Sequence, residues 1–138
     1  MTEFQQDVPL LYPNGTQVAA KITVSENEVR DGIELHLRSE QGLQVSAFSE
    51  RSVFDATRKI RLQLEQNNIL LFCFAADETV YPSPMQESMG LNCLAYRHRL
   101  GNQALSSDIV NIFDSEPSIQ PVSVERQEQF HQRWLDSL

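Results

Sequence analysis

The strict alternation of apolar and polar residues between positions 16 and 47 constrains the fold of this chain more than any other feature. Within Thr16–Val24 the apolar side chains occupy every second position, at Val18, Ala20, Ile22 and Val24. Two further segments alternate in the same way, one at Ile33, Leu35 and Leu37 and the other at Leu43, Val45 and Ala47. A period of two predicts antiparallel strands with one face buried and the other exposed to solvent.

Turn residues between these segments predict two β-hairpins within residues 1–48. Asn14-Gly15 offers the two positive-φ positions of a type I′ turn, which would join a short strand, Val8–Tyr12, to the strand that begins at Thr16. Asp31-Gly32 and Ser39–Gly42 flank the next strand and predict the second hairpin.

The apolar period changes from two to that of a helix at Ser52. Ser52 and Asp55 have the spacing of a capping box. The apolar residues that follow keep helical spacing, at Val53, Ala56, Ile60 and Leu64. We therefore predict a helix over residues 52–67, packed on the sheet. Arg58, Lys59 and Arg61 are expected on its solvated face.

Residues 69–113 are predicted to contain the remaining strands. Ile69–Ala76 is an unbroken apolar run, which is typical of a strand covered on both faces, so we expect it at the centre of the sheet. Alternation at Leu94, Tyr96 and His98 and the apolar segment Asp108–Phe113 predict later strands.

A second helix is predicted at the C-terminal end, over residues 123–138, with Ser123 as its N-cap. Its apolar stripe is expected at Phe130, Trp134 and Leu138. The 138 residues fit a single domain. The predicted fold class is α+β, with an antiparallel-rich sheet of about six to seven strands, one helix packed across it and a C-terminal helix.

Charge and hydropathy restrict the classes of partner. The net charge of −8 disfavours nucleic acid, whose phosphates would be repelled, and favours a basic protein partner. No apolar stretch reaches the roughly 20 residues that span a bilayer, and the N-terminal sequence lacks the features of a signal peptide. We therefore expect a cytoplasmic protein without a membrane partner. Cys73 and Cys93 are expected to be free thiols.

Motifs of catalysis and of cofactor or metal binding are missing from the sequence. It has no Gly-rich phosphate loop, no His-x-x-x-His, no Cys-x-x-Cys and no Gly-x-Ser-x-Gly. We therefore expect no enzyme, no cofactor and no metal. His98 is the one histidine expected to be buried, as a structural residue whose hydrogen bonds are satisfied.

Two alternatives to a plain binding protein stay open. One is a small enzyme or ligand-binding domain with a pocket between the sheet and its helix, lined by Asp77, Tyr81, Tyr96 and His98. The other is an adaptor or subunit that docks through the stripe of its C-terminal helix.

The Pro-rich segment after the apolar run is the strongest candidate for a binding site. Pro82 and Pro84 stiffen it, and Tyr81, Met85 and Met89 supply apolar contact surface. A stiff loop with Tyr and Met suits recognition, although the same residues could simply fill the core. The candidate partner-binding residues are Asp77, Glu78, Tyr81, Ser83, Met85 and Glu87.

A set of residues in the second half of the chain forms a further pattern, at Tyr81-Pro82-Ser83, Met85, Met89-Gly90, Ala95-Tyr96, Gly101 and Asp108–Phe113. In these residues the chain resembles a family of small bacterial proteins associated with the neighbourhoods of polymorphic-toxin genes. Its small, acidic, motif-poor character is also similar to immunity proteins of contact-dependent inhibition systems. The resemblance implies a non-enzymatic protein that binds and neutralises a cognate toxin domain, and a nuclease with a basic cleft would suit the negative charge.

Overall fold

Residues 3–138, which the computed structural model describes, form two antiparallel sheets and three helices. The first sheet has the order β4-β3-β2-β1-β5, with β1 (Glu3–Leu11), β2 (Gln17–Asn27), β3 (Gly32–Ser39), β4 (Gln44–Ser49) and β5 (Leu70–Leu71). The second has the order β6-β7-β8, with β6 (Val80–Tyr81), β7 (Leu94–Arg97) and β8 (Ile109–Asn111). The helices are α1 (Val53–Glu65), α2 (Pro84–Glu87) and α3 (Val124–Asp136).

The predicted α+β class is confirmed, but the prediction of one sheet with Ile69–Ala76 at its centre is wrong. Only two residues of this run form a strand, at the edge of the first sheet, and its last three residues form a 3₁₀ turn. The amide of Phe72 still donates to the carbonyl of Pro9 in β1 (2.8 Å), whereas the amide of Ala75 donates to Ile112 after β8 (2.7 Å). The run crosses from one sheet to the other and is enclosed by both, which explains why it is apolar throughout.

The first hairpin forms where the alternation predicts it, but its turn is not type I′. Tyr12 accepts a hydrogen bond from the amide of Gly15 (2.9 Å), so the turn spans Tyr12–Gly15. Of Asn14 and Gly15, only Gly15 has a positive φ, of 85°. Pro13 is the physical reason, because its fixed negative φ suits the second position of a type I turn.

Helix α1 packs its apolar side across the first sheet, and Ser52 is its N-cap as predicted. The Ser52 hydroxyl accepts from the amide of Asp55 (2.9 Å). The Asp55 carboxylate does not complete a capping box, because it accepts from the hydroxyl of Ser49 instead (2.7 Å). The expected solvated face is also wrong for two of its three members: the Arg58 side chain is 14% exposed and Arg61 is buried at 2%.

Arg61 and Gln127 form a buried polar pair that joins α1 to α3. The Arg61 guanidinium donates to Gln127 Oε1 (2.5 Å) and to the carbonyls of Ala75 (2.9 Å) and Val122 (2.8 Å). The Gln127 amide nitrogen lies 2.9–3.0 Å from three carbonyl oxygens, those of Ala75, Asp77 and Val80. Burial lowers the pKa of Arg61 to about 10, so the side chain is still charged at neutral pH.

Helix α3 begins after Ser123 as predicted, with the Ser123 hydroxyl accepting from the amide of Arg126 (3.1 Å). Its buried face differs from the predicted apolar stripe, because Leu138 is 58% exposed and Phe130 is only half-buried. The face that contacts the rest of the fold consists of Val124, Gln127, His131 and Trp134. Polar side chains hold two of these four positions, so an apolar pattern could not reveal it.

Among residues 3–138, no helix has the length and apolar character needed to cross a membrane.

We expect Arg61→Ala to lower the free energy of unfolding by about 3–5 kcal/mol, because it leaves the carbonyl of Val122 and the Gln127 oxygen without this donor. The matched control is Arg38→Ala, which removes an exposed arginine from β3 and should change stability by less than about 0.5 kcal/mol. Urea denaturation followed by circular dichroism measures both. Equal, small effects of the two substitutions would show that the buried pair contributes little.

Candidate functional site

The six candidate partner-binding residues lie on one connection, residues 77–87, but they play different parts. The Asp77 carboxylate is buried and accepts from the amide and hydroxyl of Thr79 (2.9 and 2.7 Å) and from the amide of Gln120 (2.9 Å). It therefore fastens this connection to the rest of the fold and is not available at the surface. Glu78 forms an ion pair with Arg126 at the start of α3 (2.8 Å).

Tyr81 lies at the centre of a polar cluster between α1 and α3. Its hydroxyl accepts from Arg58 Nη1 (3.0 Å) and donates to the Glu128 carboxylate (3.1 Å). Arg58 also binds Asp55 (2.8 Å) and Glu128. Burial raises the pKa of the Tyr81 phenol, and the Glu128 carboxylate raises it further against the opposing charge of Arg58. The phenol is therefore a neutral bridge between ionised groups.

Aromatic and imidazole rings continue from Tyr81 into the interface between α3 and the second sheet. Tyr81 stacks on His131 with 3.8 Å between ring centroids and 8° between planes. The ring centroids of Trp134 and His98 are also 3.8 Å apart. Further ring pairs of the series are Phe54–Tyr81, His98–His131 and Tyr96–His98.

The predicted burial of His98 is confirmed, whereas its expected hydrogen bonds are not present. The residue is 5% exposed, and within residues 3–138 neither ring nitrogen has a hydrogen-bond partner. Burial and the neighbouring charge of His131 lower the pKa of His98 to about 4. A neutral, enclosed imidazole of this kind packs as a ring at neutral pH.

Helix α2 is short, but it is capped at its start and tied to α1. The Ser83 hydroxyl accepts from the amide of Gln86 (3.1 Å), and the Gln86 side chain accepts from the amide of Ser83 (2.8 Å), which completes a capping box. The Glu87 carboxylate accepts from the hydroxyl of Ser52 (3.0 Å). Met85 and Met89 remain 74% and 61% exposed on this turn.

Exposed carboxylates gather at the end of the first sheet that lies beside the start of α1. We call the exposed residues Glu26, Glu28, Asp31 and Glu50 the acidic end. In the strand register Glu26 is opposite Ile33, and Ile33 is opposite Ser49. Two strand spacings, about 10 Å, therefore separate Glu26 from Ser49. The Ser49 hydroxyl accepts from the amide of Ser52 (3.3 Å), and Ser52 donates to Glu87 of α2, so Glu50 is the member of the acidic end that lies between the first sheet and α2.

The space between the first sheet and α1 is filled by side chains, so the expected pocket does not form there. The apolar residues of this interface are 0–1% exposed, namely Ile22, Val24, Leu35, Leu37, Ala56, Ile60 and Leu64. Of the four residues proposed to line it, Tyr81, Tyr96 and His98 do come together, but on the second sheet. A depression of about 420 Å³ lies instead on the outer face of the first sheet, beside Lys21 and Arg38.

The two cysteines and the possible metal ligands were the remaining candidates for nucleophilic or metal chemistry. Cys73 and Cys93 are free and buried, as predicted for free thiols, and burial raises the pKa of each to about 12. In the described part of the chain, no group of three or more His, Cys, Asp or Glu side chains is placed to hold a metal ion.

Compared with known proteins, the chain matches no protein-family model and no curated protein sequence.

Sequence reasoning missed the partners of Tyr81, which are Arg58, Glu128 and His131. All three are polar residues on helices, where solvent exposure is the usual expectation. The spacing of Val124, Gln127, His131 and Trp134 along one side of α3 was the available indication.

Tyr81→Ala is expected to lower the free energy of unfolding by about 2–4 kcal/mol, since it removes a stacked ring and the bridge between Arg58 and Glu128. Tyr81→Phe keeps the ring and should cost only about 1–2 kcal/mol. Thermal and urea denaturation of the two variants separate stacking from hydrogen bonding. If the Tyr81→Ala protein were as stable as the wild type, a structural role for Tyr81 would be contradicted, and Tyr81 would again be a candidate for contact with the partner.

Proposed function

We propose that the protein is a non-enzymatic immunity protein that acts in the bacterial cytoplasm by binding and neutralising a cognate toxin domain, and that this domain is a nuclease. One observation carries the proposal: two exposed methionines stand on a capped turn that is tied through Glu87 to Ser52, two residues after the exposed Glu50. We call Met85, Met89 and the acidic end together the docking surface.

The methionines suit the apolar centre of such an interface. Met is enriched in interfaces and adapts its shape to the surface that it contacts. The capping box of α2 and the Ser52–Glu87 hydrogen bond fix the turn before binding. A pre-formed turn loses little conformational entropy on association, which favours affinity.

The carboxylates suit a basic partner. A nuclease cleft must attract phosphates, and the same positive charge attracts the acidic end of this protein. Such attraction also speeds association, since a net charge of −8 acts at a distance before contact. Blocking a cleft needs a stable complementary surface and no catalytic group.

The two alternatives have less support. Trp134 is buried against His98 and is not available as the centre of an adaptor stripe. A pocket enzyme is disfavoured because the interface between the first sheet and α1 is filled.

The direct test is co-expression with the toxin domain encoded beside the gene for this protein. The proposal predicts that growth of the host is restored, and that purified protein inhibits the nuclease stoichiometrically through a stable complex. An enzyme that inactivated the toxin would act at far below equimolar amounts. Folded protein that gives no protection, or the absence of a toxin gene from the neighbourhood, would contradict the proposal.

Matched variants locate the contact once inhibition is measured. Met85→Lys and Glu28→Lys should each weaken the complex by about 1–2 kcal/mol or more, since both place a cation on the docking surface. Leu62→Lys, at an exposed apolar position of α1, and Glu40→Lys, at the opposite end of β3, are the controls. If Met85→Lys and Glu28→Lys still inhibited the nuclease strongly while the control variants lost inhibition, the contact with the toxin would lie elsewhere on the protein.

A further inference from the structure

The two halves of helix α3 are attached to the rest of the fold by contacts whose chemistry differs. The first half is held at the surface by the ion pairs Arg58–Glu128 and Glu78–Arg126 and in the interior by Gln127, which bonds Arg61 and three backbone carbonyls. An amide does not titrate, and Arg61, with a pKa of about 10, stays charged throughout the acidic range. The attachment through Gln127 is therefore insensitive to acid.

The second half of α3 is attached through the rings of His131 and Trp134 and through two hydrogen bonds, from Trp134 Nε1 to the carbonyl of Asn102 (2.9 Å) and from the amide of Gly101 to the Ser137 hydroxyl (2.7 Å). His131 stacks on Tyr81 of β6, and the Trp134 ring is tilted by 32° against His98, which follows β7. Within residues 3–138, both ring nitrogens of His98 and Nδ1 of His131 are buried without a hydrogen-bond partner. The two imidazole centroids are 5.6 Å apart. Protonation of His98 would put a positive charge in an enclosed site, and protonation of both rings would place like charges against each other.

The charged groups near the two imidazoles do not offset the effect of burial on the pKa of either ring. Asp108 near His98, and Glu128 and Glu87 near His131, favour the charged imidazoles, but burial lowers the pKa of both rings and brings that of His98 to about 4. The backbone of Tyr81 also favours the charged form of His98, and the remaining neighbours are the neutral rings of Tyr81, Tyr96 and Trp134.

We propose that mild acid releases the second half of α3, residues 130–138, from the second sheet while the Arg61–Gln127 pair keeps the first half in place. The released state exposes Tyr81, His98 and Trp134, an aromatic surface that is closed at neutral pH. This property is independent of toxin binding and goes beyond the proposed function.

The sign and size of the effect follow from linkage. A histidine that is neutral in the closed state and free to bind a proton in the open state favours opening as the pH falls below its ordinary pKa of 6.5. With a closed-state pKa of about 4 for His98, the opening equilibrium rises about 20-fold between pH 7 and pH 5. The effect levels off below pH 4, where the closed state also binds the proton.

Hydrogen exchange read by mass spectrometry tests the proposal on the full chain. After correction for the intrinsic effect of pH on exchange, protection of residues 130–138 should fall at least tenfold from pH 7 to pH 5. Protection of β2, β3 and the first half of α3 should stay within a factor of about two. His36→Phe, at an exposed histidine of β3, is the control and should respond like the wild type.

His98→Phe keeps a ring against Trp134 but cannot bind a proton, so it should remove most of the response to pH. His131→Phe is the second variant, which would stack on Tyr81 and should reduce the response if His98→Phe does not fold. Uniform loss of protection across all elements would overturn the proposal in favour of global unfolding. A wild-type response in both folded variants would overturn the assignment to these histidines.

Discussion

The buried contact between Arg61 and Gln127 is the interaction on which the arrangement of the second sheet and α3 depends. The chain between Ala75 and Val80 presents three carbonyl oxygens to α1 and α3, those of Ala75, Asp77 and Val80, and buried carbonyls without donors are costly. Arg61 from α1 and Gln127 from α3 supply those donors. The hydrogen-bond acceptors of the buried guanidinium are two backbone carbonyl oxygens and the Gln127 side-chain oxygen, not a carboxylate. The position of Arg61 therefore depends on this particular path of the backbone.

The sequence predicts the parts of this fold that are set by local patterns. Alternation identifies β2 and β3 because one face of each strand is buried, and Ser52 and Ser123 mark helix starts because their hydroxyls accept from backbone amides. The apolar run at 69–76 was misassigned because full burial does not distinguish a central strand from a segment enclosed between two sheets. The Arg61–Gln127 pair joins residues 66 positions apart, and only the tertiary fold brings them together.

In the candidate site, too, local sequence patterns predicted some features, while contacts between residues far apart in sequence decided others. Prolines, methionines and carboxylates in residues 77–89 indicated a stiff connection, and the structure places the capped helix α2 within it. The inner side of that connection is structural, since Asp77 and Tyr81 bond the surrounding elements. Its outer side presents Met85 and Met89. We therefore place the proposed function on the outer side of the connection.

A double-mutant cycle on Arg61→Met and Gln127→Leu tests most directly whether these two residues act as one unit that holds the second sheet. Each single substitution leaves buried polar groups unpaired, whereas the double substitution replaces both partners with apolar side chains. The account predicts that the two single losses in unfolding free energy exceed the loss in the double variant by about 2 kcal/mol or more when summed. Additive losses, within about 0.5 kcal/mol, would contradict it, because independent residues could not connect α1, the crossing run and α3.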